Sequence, residues 1–438
     1  MDYLSDGLRY EIAQGLSLTP GLRVAGNTNL AKYKNATLDV RQAGRELGVA
    51  SVLSGKIAHD GKSILLDLEL TDTRSGLQLW SGQFEQPDAG LSTFRHEITG
   101  RIAAKLGARV SDSTRPAARN PEAYEAYLAA RYHFIKRSKA DMAMASTLCE
   151  QAIQLDPKFA EAWSLLAASL GFTPGMYNSL SPEELYSKTR GAIAKAIEID
   201  PNLPEVHLTL GAIKFFQERD WPVAEQELRR AIALNPNDSQ AHLFLAILMR
   251  VLGRATEERR YIHRARELDP LSPVIANHVA WTEYFQGHDD VATAELKTAL
   301  AVDADYSSNH TLIGYIALRR KQYPQAIAAF QKAVMTAAGQ ASLGDLGYAL
   351  AVTGDKPAAL KILQKLEPAS GGYTPAGAIA WIYLGLGDKD QAFKWFTQAS
   401  KENYQWLNYI HIWRVYDPLR SDPRLDTLIH SLKLDRPN

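Results

Sequence analysis

Three groups of residues in this chain have types and spacings that invite a chemical reading. Gly61-Lys62-Ser63 has the tail of a phosphate-binding loop, in which backbone amides cradle a phosphate and the lysine reaches it. The glycine such a loop needs five residues before Gly61 is Lys56, and the residues around it alternate as strand, turn and strand. A hairpin turn is therefore expected. His207, His242 and His310 occupy one equivalent position of an internal repeat, with Trp163 in that place in an earlier unit. A column of imidazoles suggests a metal, but packed helices lie about 8–10 Å apart whereas zinc takes nitrogen at about 2.1 Å. Packing is the expected role, with no metal site. Cys149, the single cysteine, falls where a repeat has a core side chain and reads as buried filler rather than a reactive thiol. The chain has no Gly-x-Ser-x-Gly elbow, no His-Glu-x-x-His and no dinucleotide fingerprint. No catalytic residue, cofactor or enzymatic activity is expected.

Composition narrows the partners. Lys plus Arg and Asp plus Glu are both 49 among 438 residues, so there is no basic excess to displace counterions from a nucleic-acid backbone. Hydrophobic residues make up 46% of the chain, yet no apolar run is long enough to span a membrane. Met1 to Asp6 has neither the basic nor the apolar region of a signal peptide, so the sequence states no compartment.

The elements that must position these residues are written in a repeated punctuation. Asp156-Pro157, Asp200-Pro201, Asn235-Pro236 and Asp269-Pro270 are continued by Asp303-Ala304, and the last three steps are 35, 34 and 34 residues. In phase with them, Gly314, Ala326, Phe330 and Ala333 take positions 8, 20, 24 and 27 of one unit. Gly211, Leu228, Ala231 and Pro236 do so in another after one extra residue near Trp221-Pro222, and Gly347, Gly354, Ala359, Gly387, Ala392 and Phe396 mark later ones. Small residues there let two antiparallel helices approach while a large apolar one fills the space between. The chain resembles the tetratricopeptide-repeat family over about eight helical hairpins from 121 to 403. An insertion around Phe172-Thr173-Pro174-Gly175 reads as a loop, followed by Ser181 capping a helix with Pro182 at its first position. Residues 404–438 depart from the repeat and read as a C-terminal helical cap.

Residues 1–107 have another rhythm. A helix over Leu4–Leu18, a short strand Leu22–Ala25 and a helix over Val40–Leu47 lead into three antiparallel strands, Val52–Ile57, Ser63–Leu70 and Leu77–Phe84, the first two joined at Asp60-Gly61. A helix over Ser92–Leu106 closes this α/β unit, and 108–120 is a polar linker with Pro116. Leu4-Ser5-Asp6-Gly7-Leu8, Pro20-Gly21-Leu22-Arg23-Val24, Gly44-Arg45-Glu46-Leu47-Gly48-Val49, Val52-Leu53-Ser54-Gly55 and Leu79-Trp80-Ser81 resemble the TolB-like domain that precedes such repeats in bacterial regulators. Asp417-Pro418-Leu419-Arg420-Ser421-Asp422-Pro423-Arg424 looks typical of the same proteins. The resemblance implies an output module upstream, such as a DNA-binding domain, a nucleotide cyclase or a Ser/Thr kinase. It also implies an apolar strand before Leu4, so the chain reads as a fragment of a longer protein. The fold class expected is α+β at the N-terminus followed by an all-α superhelical solenoid.

Fixing the repeat phase identifies the concave face. Position 9 gives Trp281, Tyr315, Tyr348 and Trp381, four aromatics in a row, with Arg250, Asn277, His278, Tyr284, Arg319 and Asp345 around them. The rings either finish the core between helices or form a ladder for an extended peptide, and the arginines suit an acidic group or a C-terminal carboxylate. A peptide- or protein-binding scaffold or sensor of a bacterial signalling protein is the preferred function. The alternative is a small-metabolite receptor with a pocket between the α/β domain and the groove.

Overall fold

The structure, a computed structural model, describes residues 2–25, 33–34, 39–59, 63–87, 91–110, 119–136, 138–171, 182–336, 341–366 and 375–434. The turn at Asp60-Gly61, the insertion around Phe172–Gly175, Ser181 and most of the linker lie outside the described residues.

Helix α1 (Asp2–Ser17) carries Leu4, Leu8, Ile12 and Leu16 at four-residue spacing, which puts them on one stripe, and all four are buried. Leu22–Ala25, expected as a strand, is irregular. Its carbonyl at Leu22 accepts from the Asn237 amide instead of from a neighbouring strand. Asp39 caps α2 (Val40–Leu47) by accepting from the amides of Arg41 and Gln42, and Gly48 ends it in the left-handed region. Strands β1 (Ser51–His59), β2 (Ser63–Asp72) and β3 (Gln78–Pro87) then pair antiparallel in sequence order, with Leu53 opposite Leu70 and Leu66 opposite Phe84. Strict alternation along β2 buries Ile64, Leu66, Leu68 and Leu70 and leaves Leu65, Asp67 and Glu69 on the outer face. Helix α3 (Leu91–Lys105) follows.

Sixteen further helices, α4 to α19, come next among the described residues. They are α4 (Pro121–Lys136), α5 (Lys139–Leu155), α6 (Ala160–Gly171), α7 (Pro182–Ile199), α8 (Pro204–Ile213), α9 (Trp221–Leu234), α10 (Ser239–Val251) and α11 (Ala255–Leu268). The rest are α12 (Pro273–Phe285), α13 (Asp289–Val302), α14 (Ser307–Arg319), α15 (Tyr323–Thr336), α16 (Ala341–Val352), α17 (Lys356–Leu366), α18 (Ala376–Leu386) and α19 (Lys389–Lys401). The Asx-Pro punctuation has a local cause. Asp156, Asp200, Asn235 and Asp303 each accept from the backbone amide two residues on, an Asx turn that ends one hairpin and starts the next. Gly314 is small because a Cβ there would come 2.6 Å from the Phe330 ring across the hairpin.

The chain forms two compact units. The first comprises 1–215, 221–244 and 267–271; the second comprises 216–220, 245–266 and 272–438. In the first, one core runs from α1, β2 and α3 into α4, α5, α6, α7 and Val206 of α8. In the second, the segment after α19 folds into two 3-10 turns, Gln405–Tyr409 and Arg414–Leu419, and helix α20 (Arg424–Ser431).

Candidate functional site

The ring column resolves first. The indole N–H of Trp163 donates to the Pro157 carbonyl at 3.0 Å. The Nε2 atoms of His207, His242 and His310 lie 2.8, 3.1 and 2.9 Å from the carbonyls of Pro201, Pro236 and Ala304. In each case the ring reaches back six residues to hold the turn that enters its own hairpin. His207 also contacts Glu227 through Nδ1 at 2.6 Å, and that hydrogen bond raises its pKa. Cys149 is fully buried, and burial pushes its thiol well up, which suppresses the thiolate.

The position-9 aromatics come together on successive first helices of the second unit, and they are covered. Trp281 of α12, Tyr315 of α14 and Trp381 of α18 are at most 1% exposed, while Tyr348 of α16 is half-buried. What covers them is the chain's own segment 404–420. Trp281 lies 5.0 Å from Trp406 and 5.7 Å from Trp413 between ring centroids. Tyr315 meets Trp413 at 4.8 Å, and Trp381 meets Trp413 and Tyr416 at 5.3 and 5.0 Å. Many of these pairs are edge-to-face or tilted, the arrangement that ring quadrupoles favour. The Trp381 indole also donates to the Tyr404 hydroxyl at 2.7 Å.

The polar residues around the row are engaged inside the protein. Arg250, 3% exposed, donates to Glu258 at 2.6 Å and to the His278 carbonyl and Thr282 hydroxyl. Arg319 donates to Asp289 and to the Tyr284 carbonyl, with its guanidinium 3.8 Å from the Tyr284 ring centre. Neither guanidinium is held out toward a ligand carboxylate, because each meets an internal one. Asn277 is buried and exchanges hydrogen bonds with Asn309 and Ser308. The Tyr315 hydroxyl donates to Asp345 at 2.5 Å, and burial pushes that carboxyl up to about 7. Burial and the Arg250 charge draw His278 down to about 3.

The family profile described as "Tetratricopeptide repeat" matches residues 210–273, 280–342 and 376–405. The helical array is a tetratricopeptide-repeat solenoid. A curated relative, "Putative adenylate cyclase 3" of Rhizobium meliloti (strain 1021), is 28% identical over 214 residues, which cover 48% of this chain and 36% of that protein. The chain thus spans about a third of the length of this curated relative. Among solved structures, the Cut9 and Hcn1 hetero-tetramer of APC/C is similar at 14% identity, covering 70% of this chain and 55% of that one with a TM-score of 0.49. A thermophilic tetratricopeptide-repeat protein of Thermus thermophilus is 19% identical, covering 43% of this chain and 96% of that one with a TM-score of 0.36.

In the first unit, the tetratricopeptide hairpins are likewise met by another part of the chain. Helix α1 packs on α4, with Gly7 against Leu128 and the Arg131 guanidinium 3.5 Å over the Tyr10 ring. Glu11 accepts from Arg95 at 2.8 Å and from Tyr124 at 3.2 Å, and Gln14 donates to Glu205 of α8. Burial pushes Glu205 up to about 7. A cavity between Glu11, Arg95, Arg119 and Phe159 has a volume of about 10 Å³, room for a water-sized guest. Sequence reasoning missed these residues, and it missed Arg219, which is buried and donates to Asn408 and to the Ser400 carbonyl, because none of them repeats with the period. One signal was present: the single 35-residue step falls in the hairpin that carries Arg219.

Proposed function

We propose that this chain is a non-catalytic protein-interaction module of a bacterial signalling protein, with a TolB-like α/β part and a tetratricopeptide array that recognises an aromatic-bearing peptide. One observation carries the reading: Trp281, Tyr315 and Trp381 hold a stretch of two 3-10 turns, 404–420, through Trp406, Trp413 and Tyr416. A row of rings that grips one such stretch has the chemistry to grip another of like spacing, since stacking and indole hydrogen bonds need no particular chain. The cyclase name of the Rhizobium meliloti relative supports a signalling setting. The non-catalytic reading is supported by the candidate polar groups, which are spent on internal ion pairs and turn carbonyls. A partner peptide would enter in place of 404–420.

The test uses the full chain with Trp406→Ala, Trp413→Ala and Tyr416→Ala, which removes the three rings of 404–420 that meet the row, and a synthetic peptide of residues 404–420 titrated by fluorescence anisotropy. Saturable binding to the variant, none to the parent, and loss on adding Trp281→Ala and Trp381→Ala is the expected pattern. A variant that keeps its helicity and binds nothing refutes the reading.

A further inference from the structure

The residue that makes one repeat step 35 rather than 34 has a structural destination. Between α8 and α9 the chain passes through a π-helical turn, Lys214–Glu218, the form a helix takes when it absorbs one extra residue. Three successive carbonyls of that turn accept from side chains of the C-terminal segment, all within the second compact unit. Gln405 Nε2 donates to the Phe216 carbonyl at 2.9 Å, Asn403 Nδ2 to Gln217 at 3.0 Å and Lys433 Nζ to Glu218 at 3.2 Å. The next residue reaches the opposite way. Arg219 donates through Nη1 to the Ser400 carbonyl at 2.8 Å, at the C-terminal turn of α19, and through Nε to Asn408 at 3.1 Å.

Several local costs meet here. Arg219 is 6% exposed, pairs with no carboxylate among the described residues, and has a buried Nη2 without a hydrogen-bond partner. Burial draws its pKa down to about 10. Arg219, Asn403 and Lys433 have φ of 49°, 54° and 56°, three of the four described non-glycine residues in the left-handed region. Side-chain-bearing residues rarely adopt that conformation, and it persists where surrounding contacts impose it. What the π-helical turn, the buried guanidinium and the three left-handed residues share is that all lie at the contact between 216–219 and 400–433.

We propose that residues 216–220 are a latch that holds the segment 404–434 down on the aromatic row, and that opening this latch exposes Trp281, Tyr315 and Trp381. The exposed face as a peptide site rests on the function proposed above; the latch rests on its own geometry. The contacts named above are hydrogen bonds, and the segment they hold is two short 3-10 turns and an eight-residue helix, with shorter bonded ladders than the hairpins have. Its opening must break those hydrogen bonds and lift Trp413 and Tyr416, both at most 2% exposed, off the aromatic row, whereas the hairpins beneath keep their own longer ladders.

Hydrogen exchange by mass spectrometry on the full chain tests this with Arg219→Gly and Asn408→Ala. Glycine removes the guanidinium and also relieves the left-handed backbone, so loosening reports the lost contacts and not new strain. Amides of 404–434 are expected to exchange at least about tenfold faster in Arg219→Gly, with those of α12, α14 and α18 unchanged. Unchanged protection of 404–434 in both variants overturns the latch, and so does an equal rise over the segment and the hairpins, which would mark Arg219 as ordinary core. The 404–420 peptide is added as a second arm. Faster exchange with peptide binding supports both latch and groove, whereas faster exchange without it leaves the latch standing and removes the groove reading.

Discussion

Asp345 lies 6% exposed in α16, and its hydrogen bond from Tyr315 does not offset the cost of burying its charge, so its carboxyl titrates near 7. The consequence for stability has a definite sign. An acid whose folded pKa is raised above its unfolded value stabilises the fold fully below pH 4 or so, and that contribution is lost as pH rises through about 7. Asp345→Asn keeps an acceptor for Tyr315 and removes the titration. Urea unfolding at pH 5 and pH 8 is expected to show the variant gaining on the parent as pH rises, by up to about 1.4 kcal/mol per pH unit crossed. A difference independent of pH would show that the carboxyl is not buried in solution. His278 and His411, drawn down to about 3 and 4, act oppositely: they lose stability as pH falls below about 6.5, in parent and variant alike. The residue types at these positions were legible in the sequence. Their burial was not, because a histidine or aspartate on a helix reads alike whether water or a tryptophan faces it.

Single hairpins obey short-range rules, and they are where the sequence spoke most clearly. The Asx turn needs only an acceptor and an amide two residues apart, and the ring at the following position needs only a carbonyl six residues back. Both are local, so both recur with the period. Gly314 faces Phe330 at the same level of locality, since the two belong to one hairpin. Gly314→Ala is expected to cost about 1–3 kcal/mol by overpacking, which outweighs the gain of up to about 1 kcal/mol that alanine has over glycine in a helix, and Phe330→Leu in the same chain should recover part of it. Equal urea midpoints for the parent and Gly314→Ala would mean that the hairpin can splay without cost. The expected strand at Leu22–Ala25 failed for a non-local reason. Its apolar residues suit a strand, but the Leu22 carbonyl is taken by Asn237, and no periodic pattern announces a partner 215 residues away.

At the scale of the molecule, each compact unit sets its own parts of the chain against its tetratricopeptide hairpins. In the first unit the four apolar residues of α1 join the core of α4 and α6. Burying such a side chain contributes about 1.5–3 kcal/mol, so four of them rival the net stability of an ordinary domain. Removal of residues 2–18 is therefore expected to abolish exchange protection in α4 and α6, which lie more than a hundred residues further on. Protection that survives the deletion would show that these hairpins stand without α1.

The sequence by itself determined the period, the hairpins, the antiparallel sheet and the positions that form a row along successive first helices, since each follows from contacts within about forty residues. Only the tertiary structure decided that Trp281, Tyr315 and Trp381 are covered. The physical reason is that burying an indole against its own chain and binding it to a partner use the same surface and the same ring geometry. The choice depends on where a segment more than a hundred residues beyond Trp281 folds back, and contacts of that separation are set by packing and leave no trace in a 34-residue rhythm.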